Sequence, residues 1–280
     1  MPSYRVACIQ SPPMPTFESA TKVAVDLAEA AIADGAQSVF LPEYASGFRV
    51  VSGRFAPPLA AEADNPFVKA MQALAGRHGV WVHGGSVALP APDGKVFNCS
   101  LVIAPDGSVA ARYRKIHLFD IALSESEVYR ESDVVSPGDT ACIVDMGWCT
   151  LGCSICYDLR FPALYESLAA SGADLLAIPA AFTRKTGEAH WHTLCRTRAI
   201  ENGAWVIAAC AVGDIEGGGG CYGHSLIVDP WGRVVADGGS EPGHIVADID
   251  VAQSIDARTR IPRLSHRREF GLQHCGAGVT

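Results

Sequence analysis

The stretch CTLGCSICYDLRFP, residues 149–162, combines the elements from which this chain is built. Apolar and small side chains alternate over 149–155 and predict a β-strand, and a helix is predicted over 162–170. The same succession recurs along the chain: a short apolar run rich in β-formers, a Gly/Pro turn, then a helix or another strand. This rhythm predicts an α/β layered fold.

The remaining elements follow from the same patterns. Asn65 is predicted to cap a helix that has Pro66 in its first turn, and glycines stand just beyond several helix ends. Hairpin turns are predicted at 92–94, 105–107 and 230–232, so the sheets must be mixed and not simply doubly wound. Helices are predicted at 18–33, 66–77, 162–170 and 190–202. Strands are predicted at 5–10, 38–41, 80–89, 96–104, 108–114, 141–146, 149–155, 174–179, 205–212, 224–229, 233–236 and 245–250.

Three polar residues stand at the ends of predicted strands, where open α/β sheets place their sites. They are Glu43, Lys115 and Cys156. Taken singly, Glu43 is equally well explained as half of a loop salt bridge, and Lys115 as a solvated lysine at a strand end. Small residues before Cys156 leave room for a ligand. A sharp turn there would offer the N–H of Tyr157 to an oxyanion.

Cys153 and Cys156 also form a Cys-x-x-Cys, which leaves a thiol redox protein as an alternative. In redox motifs of the thioredoxin type the first cysteine begins a helix, whereas here both lie in or at the end of a strand. Zinc is less favoured still, because no second closely spaced Cys or His pair occurs, and His190 and His192 point in different directions on their helix. We therefore expect no metal.

Three segments taken together are recognisable: LPE at 41–43, RKIHLFD at 114–120 and SICYDLRFP at 154–162. In this order and at these separations they resemble the Glu-Lys-Cys signature of the nitrilase superfamily, also called carbon-nitrogen hydrolases. The resemblance extends to residue 268 and is greatest to the Nit-type branch, which includes ω-amidases and deaminated-glutathione amidases. It implies a four-layer α-β-β-α sandwich, a single domain over 1–268 with a C-terminal tail at 269–280, and a homodimer or higher homo-oligomer.

The resemblance also implies roles for the three residues. Cys156 would be the nucleophile, Glu43 the general base, and Lys115 the group that stabilises the oxyanion together with the Tyr157 N–H. Ammonia would leave behind a thioester that water hydrolyses. No cofactor is required.

A second carboxylate near the lysine is assigned by the resemblance to Glu131, with Glu125 and Glu127 as alternatives on the same loop. It would fix Lys115 or orient substrate and water. The loop at 124–136 and the glycines at 217–220 are expected to border the pocket.

Substrate binding is assigned to Arg160, Phe182 and Thr186. The Arg160 guanidinium would clamp a substrate carboxylate, or else form an ion pair with Asp158 or Glu166. The expected substrate is a small amide, most consistent with one that bears a carboxylate. A nitrilase or an N-carbamoyl amidohydrolase would use the same three residues, and a non-catalytic protein that retains the fold is a further alternative.

Composition narrows the partners. The net charge of −8 and the lack of a basic block argue against nucleic acid. Ten cysteines in a chain of this length, with no signal-like start in MPSYRVACIQSPP, predict reduced thiols and a cytoplasmic protein. Since no apolar run approaches the roughly 20 residues of a membrane span, no membrane is expected.

Overall fold

A computed structural model describes residues 3–125 and 128–274 of the protein. Its strands are β1 (Tyr4–Gln10), β2 (Ser38–Phe40), β3 (Val50–Val51), β4 (Arg54–Phe55), β5 (Trp81–His83), β6 (Val87–Pro90), β7 (Val96–Ile103), β8 (Val109–Arg114), β9 (Asp120–Ala122), β10 (Val128–Arg130), β11 (Cys142–Asp145), β12 (Thr150–Cys153), β13 (Leu175–Ala177), β14 (Trp205–Ala208), β15 (Val212–Asp214), β16 (Gly220–Tyr222), β17 (Leu226–Val228), β18 (Val234–Asp237) and β19 (Gly243–Ile249). Its α-helices are α1 (Phe17–Ala33), α2 (Pro66–His78), α3 (Pro162–Ala170), α4 (Arg184–Asn202) and α5 (Ala252–Arg260). Single 3-10 turns cover Glu62–Asp64, Glu131–Asp133 and Cys156–Arg160.

Two mixed sheets carry the fold. The first runs in the order β19-β1-β2-β5-β7-β6, with β8 also paired to β7, and the second in the order β11-β12-β13-β14-β17-β18. In each sheet three strands run parallel, β1-β2-β5 and β12-β13-β14, and the flanking pairs are antiparallel. The predicted mixed sheets are confirmed, and each predicted hairpin turn joins two neighbouring strands.

The sheets pack face to face, with helices on their outer faces. Along β1, Val6 and Cys8 lie in the core between the sheets, whereas Ala7 and Ile9 pack under α1 and α2, as the two-residue period of a strand requires. The Cys8 thiol contacts the carbonyl of Leu226 in the second sheet, 3.8 Å away. Helices α3 and α4 cover the second sheet. The fold is the predicted four-layer α-β-β-α sandwich.

Some predicted strands are shorter or divided. The strand predicted at 80–89 is two strands, β5 and β6, because the chain turns at Gly85 with φ +65°. A Cβ there would lie 1.9 Å from the carbonyl oxygen of Pro42, so only glycine fits. The strand predicted at 149–155 ends at Cys153, and the one predicted at 205–212 ends at Ala208.

The helices differ from prediction at two places. Helix α4 begins at Arg184 and not at residue 190. Glycine normally disfavours a helix, but Gly187 is needed inside this one, because a Cβ at that position would come within 2.4 Å of the Tyr222 ring. Helix α5 was not predicted, since it is polar and buries only Ser254 and Ala257. Within 3–125 and 128–274, no helix has the length and apolarity to cross a bilayer.

Candidate active site

A cavity of about 920 Å³ is lined by residues that follow strands of both sheets. Glu43 follows β2, Lys115 follows β8 and Cys156 follows β12. The loops predicted to border a pocket, at 124–136 and 217–220, also contribute to its wall. The structure thus brings the three strand-end residues to a single cavity.

Glu43 is held by groups from both sheets. Its Oε1 accepts a hydrogen bond from Asn98 Nδ2 at 2.8 Å, and its Oε2 accepts one from the Ala181 N–H at 2.9 Å. The following residue, Tyr44, has φ +51°, and its N–H donates to Ser86 Oγ at 2.9 Å. The carboxylate is only 4% exposed, so these donors replace the water it loses.

The Lys115 ammonium lies between two carboxylates. Its Nζ donates to Glu43 Oε1 at 2.9 Å and to Glu131 Oε1 and Oε2 at 3.0 and 2.9 Å. Burial lowers the pKa of Lys115, but the negative charges of Glu131 and Glu43 outweigh it and hold the pKa well above its usual value. The site therefore contains a fixed, buried positive charge.

Glu131 is the acidic residue of its loop that contacts Lys115 in the described part of the chain. Its Oε2 also accepts the Phe119 N–H at 2.6 Å. Burial raises the pKa of Glu131 and the charge of Glu43 adds to this, while Lys115 opposes both. Glu125 is exposed, and Glu127 lies outside the described residues.

Cys156 sits at a sharp turn. It adopts φ +48°, a left-handed conformation that is unfavourable for a side chain, and its N–H donates to the Pro179 carbonyl at 2.9 Å. Burial, followed by the negative charge of Glu43, raises the pKa of the Cys156 thiol well above its usual value. The thiol is therefore protonated at neutral pH and needs a base in order to react as a nucleophile.

The buried carboxylate of Asp158 fixes this turn. Its Oδ2 accepts the Ile155 N–H at 2.9 Å and the Tyr113 hydroxyl at 2.7 Å, and its Oδ1 accepts the His117 N–H at 3.0 Å. The His117 ring stacks on Phe161 at 3.6 Å. The turn that carries Cys156 is thereby joined to the segment that follows Lys115.

Tyr157, Phe182 and Thr186 all line the cavity. Tyr157 is the second residue of the 3-10 turn, so its N–H has no carbonyl within that turn to bond. Thr186 is fixed by its hydroxyl, which lies 2.8 Å from that of Thr183.

Arg160 is placed differently from expectation. It is absent from the described residues that line the cavity, and both ion pairs considered for it are wrong. The Asp158 carboxylate accepts the hydrogen bonds that are described above. Glu166 pairs with Arg263 and Arg267 at 2.8 and 2.9 Å. The Arg160 guanidinium instead lies over the rings of Tyr157 and Phe182, at 5.9 and 5.3 Å from their centroids.

Sequence reasoning missed several residues of the site. Asn98 contacts both Glu43 and Glu131, at 2.8 and 3.4 Å. The signal was an amide inside the mostly apolar strand β7, where a buried polar group needs partners. Arg54, Lys95 and Arg130 also line the cavity, and nothing in their local sequence points to a site.

The two cysteines of the Cys-x-x-Cys have different surroundings. Cys153 lies in β12 opposite Cys142 of β11. The hydrogen bond that the Cys153 thiol donates to Cys142, followed by burial, raises the pKa of Cys153 well above its usual value. Cys156 faces Glu43 and Lys115. Both are free thiols.

Comparison with known proteins agrees with this arrangement. The chain is 37% identical over 273 residues to the deaminated glutathione amidase of Synechocystis sp. (strain PCC 6803), covering 95% of this chain and 99% of that protein. It is 35% identical over 269 residues to the omega-amidase of Homo sapiens, covering 96% of each chain. The crystal structure of Saccharomyces cerevisiae Nit3, a member of the nitrilase superfamily, superposes with a TM-score of 0.83 at 28% identity over 96% of this chain and 97% of that one.

The match to a family is equally extensive. Residues 5–259 match the carbon-nitrogen hydrolase family, a span that contains every residue of the cavity described above. With a buried thiol, a carboxylate and an ammonium at that cavity, the chain belongs to the carbon-nitrogen hydrolases, enzymes that hydrolyse carbon-nitrogen bonds other than peptide bonds.

Proposed function

We propose that this protein is an amidase that hydrolyses a small carboxylate-bearing amide through a thioester on Cys156, with release of ammonia. The observation that carries the proposal is the buried Lys115 ammonium, which lies within 3.0 Å of Glu43 and Glu131 at the cavity that Cys156 lines. A protonated thiol, a base beside it and a fixed positive charge are what attack on an amide carbonyl requires.

In the first half-reaction Glu43 takes the proton of the Cys156 thiol as sulfur bonds to the carbonyl carbon. The negative charge that develops on oxygen is stabilised by the Lys115 ammonium and the Tyr157 N–H. Glu43 then returns the proton to the amide nitrogen, the C–N bond breaks, and ammonia leaves a thioester.

In the second half-reaction Glu43 takes a proton from water, which attacks the thioester carbon. The tetrahedral intermediate collapses, the C–S bond breaks, and the proton returns to sulfur to regenerate the thiol. Glu131 holds Lys115 in place throughout, because it contacts the ammonium through both of its oxygens. The product is the carboxylic acid.

Basic side chains support the choice of an acidic substrate. Arg54, Lys95 and Arg130 line the same cavity as Cys156, so a carboxylate at the far end of the acyl chain would meet positive charge there. The relatives named above are an omega-amidase and a deaminated glutathione amidase. Phe182 and Thr186 would contact the acyl chain itself.

The test is ammonia release from ω-amides of 2-oxo acids and from deaminated glutathione, compared with nitriles, N-carbamoyl amines and neutral aliphatic amides. Cys156→Ala should lose turnover and remain folded, since the volume change is small. Cys153→Ser is the matched control and should retain most activity. Equal losses in both folded variants would favour a paired-thiol mechanism, and faster turnover of nitriles would favour a nitrilase.

We also propose that the protein is a single domain over 1–268 followed by a tail, and that it forms a homodimer or higher homo-oligomer in the cytoplasm. A continuous core joining residues of both sheets, from Val6 to Ile249, supports a single domain. Ile200 in α4 and Ile255 in α5 are each 53% exposed, and a second copy would cover such apolar side chains. Light scattering of the purified protein measures the oligomeric state.

A further inference from the structure

Three side chains that commonly bind metals meet outside the cavity. His192 lies in α4, His224 just before β17, and Asp237 at the end of β18. His192 Nε2 is 2.9 Å from Asp237 Oδ2, and His224 Nδ1 is 2.9 and 3.2 Å from Oδ1 and Oδ2. All three potential donor atoms lie within 4.8 Å of one another. The side chains are 35%, 28% and 34% exposed, so the cluster is open to solvent.

His224 is fixed by its backbone and by its ring. It has φ +52°, its N–H donates to the Gly239 carbonyl at 2.7 Å, and its own carbonyl accepts the Trp191 indole N–H at 2.7 Å. The imidazole stacks on Tyr222, with ring centroids 4.6 Å apart. Such restraint of a ligand side chain is typical of built metal sites.

The other two residues are restrained as well. Asp237 Oδ1 accepts the Gly239 N–H at 2.9 Å, which fixes the carboxylate, and both of its oxygens face the His224 ring while Oδ2 also faces His192. His192 follows the fully buried Trp191 on α4, so its position on the helix is set by the core. Three separate elements of the second half of the chain therefore present donors to one point.

We infer that His192, His224 and Asp237 form a binding site for a divalent transition-metal ion of the zinc class. Two imidazole nitrogens and one carboxylate oxygen are a common ligand set for such ions, with water at the fourth position. Metal–ligand bonds of about 2.0–2.2 Å place tetrahedral ligands roughly 3.4 Å apart, so small side-chain rotations would admit the ion. Each imidazole binds such an ion through a nitrogen lone pair, so a hydrogen that this nitrogen now shares with Asp237 moves to the other ring nitrogen.

Charge at the site favours a cation. Asp237 contributes a negative charge that two neutral imidazoles do not cancel. Glu188 lies one helical turn before His192 on α4, where the two side chains share a face. Both features attract a divalent ion.

The position of the site indicates a structural role. The Tyr222 ring that supports His224 packs against Gly187 in α4, and the Tyr222 N–H donates to the carbonyl of Phe182, which lines the cavity, at 2.8 Å. A bound ion would connect α4 to this segment and to β18. We therefore expect metal to stabilise the protein independently of the chemistry at Cys156.

The test uses the full-length protein carrying Cys156→Ser, so that the cavity thiol cannot bind metal. After treatment with a chelator it is titrated with Zn²⁺ by calorimetry and with Co²⁺ by visible absorption. We expect a bound equivalent with the absorption of tetrahedral Co²⁺ and a rise in Tm with Zn²⁺. Adding His192→Ala or Asp237→Asn should weaken Zn²⁺ binding by more than the ~100-fold that loss of an outer partner costs, and should abolish the rise in Tm.

His244→Ala is the matched control. His244 also pairs with an aspartate, Asp34, at 2.8 Å, yet no second histidine joins that pair in the part of the chain that the structure describes. It should leave Zn²⁺ affinity unchanged. The inference would be overturned if no equivalent of Zn²⁺ bound, or if His192→Ala and Asp237→Asn bound Zn²⁺ as tightly as the Cys156→Ser protein. It would also be overturned if His244→Ala lost as much affinity as those two variants.

Discussion

Lys115 and His83 are both buried in the first sheet, at 2% and 1% exposure, and differ in their partners. Lys115 has two carboxylates within 3.0 Å. Neither ring nitrogen of His83 has a hydrogen-bond partner among the described residues, and the ring stacks on Phe40 at 5.6 Å. Burial disfavours the charged form of both groups. The pKa of Lys115 is nevertheless held well above its usual value, whereas burial lowers that of His83 from 6.5 to about 4. The two carboxylates keep Lys115 charged in spite of burial, whereas His83, which has no such partner among the described residues, remains a neutral core ring.

The largest effect is expected when the Lys115 ammonium is removed or replaced by a guanidinium. Lys115→Met should reduce kcat/KM by at least about 10³-fold, because the oxyanion loses its cation. It should also reduce the free energy of unfolding by about 3–5 kcal/mol, since Glu43 and Glu131 are left buried without a counter-charge. Lys115→Arg should fail in activity as severely, because a planar fork does not replace a compact ammonium.

Steady-state kinetics and urea denaturation measure the two effects separately. Lys22→Met is the control, because Lys22 is 75% exposed and pairs with Asp26 on the surface of α1. It should change neither quantity. Near-normal activity in Lys115→Arg would show that Lys115 does not contact the reacting atoms.

The next effect concerns His83 and appears only in acid. Its folded-state pKa lies below the unfolded value, so the unfolded chain binds the extra proton first and stability falls as pH falls from about 6.5 to about 4. A shift of that size corresponds to on the order of 3 kcal/mol. His83→Leu should remove this loss, so the variant should gain stability relative to the original protein on going from pH 7 to pH 4.5.

The measurement is the free energy of unfolding in urea at both pH values for each protein. Glu131 acts in the opposite sense, because its raised pKa favours the folded state as pH falls, so only the difference between variant and original isolates His83. The exposed His266→Leu controls for removal of a histidine. A difference that does not change with pH would show that His83 has the same pKa in the folded and the unfolded chain.

The local sequence predicts the role of Lys115 but not that of His83. Lys115 stands at the end of its own strand and in a recognisable motif, so a site could be predicted there. Asn98 and His83 lie within β7 and β5, where alternation predicts burial and does not specify partners across the sheet. The fate of a buried polar group depends on contacts distant in sequence, which a local pattern does not contain.

The same limit applies to the fold and to the cluster of His192, His224 and Asp237. Strand positions followed from periodicity, whereas the pairing of two sheets into a sandwich came from the family resemblance, because strand order is a long-range property. The local sequence places His192 beside His190 on one helix, whereas its partners His224 and Asp237 lie on other elements. The break in the strand predicted at 80–89 and the earlier start of α4 have a similar origin: Gly85 and Gly187 are required by Pro42 and Tyr222, which approach them from elsewhere in the chain.

The smallest effect is expected at Arg160. Its surroundings are intermediate between those of Lys115, which pairs with two carboxylates, and those of His83, which is a neutral core ring. It is a half-buried cation whose partners are the Tyr157 and Phe182 rings, together with His190 Nδ1 at 3.4 Å. Interactions of a guanidinium with aromatic faces contribute about 0.5–1 kcal/mol, so Arg160→Gln should lower kcat/KM by about two- to fivefold. Since both rings line the cavity, the loss should be the same for an acidic amide and its neutral isostere.

Arg54→Gln provides the matched comparison, because Arg54 lines the cavity and Arg160 does not. If Arg54 binds the substrate carboxylate, its removal should lower kcat/KM for the acidic amide by an amount that corresponds to about 2–4 kcal/mol of transition-state stabilisation. The kcat/KM for the neutral isostere should stay nearly unchanged. The measurement is kcat/KM for both variants on both substrates, with circular dichroism to confirm folding. A selective loss on the acidic amide in Arg160→Gln, with none in Arg54→Gln, would return the carboxylate to Arg160. It would also mean that Arg160 leaves its two rings when substrate binds.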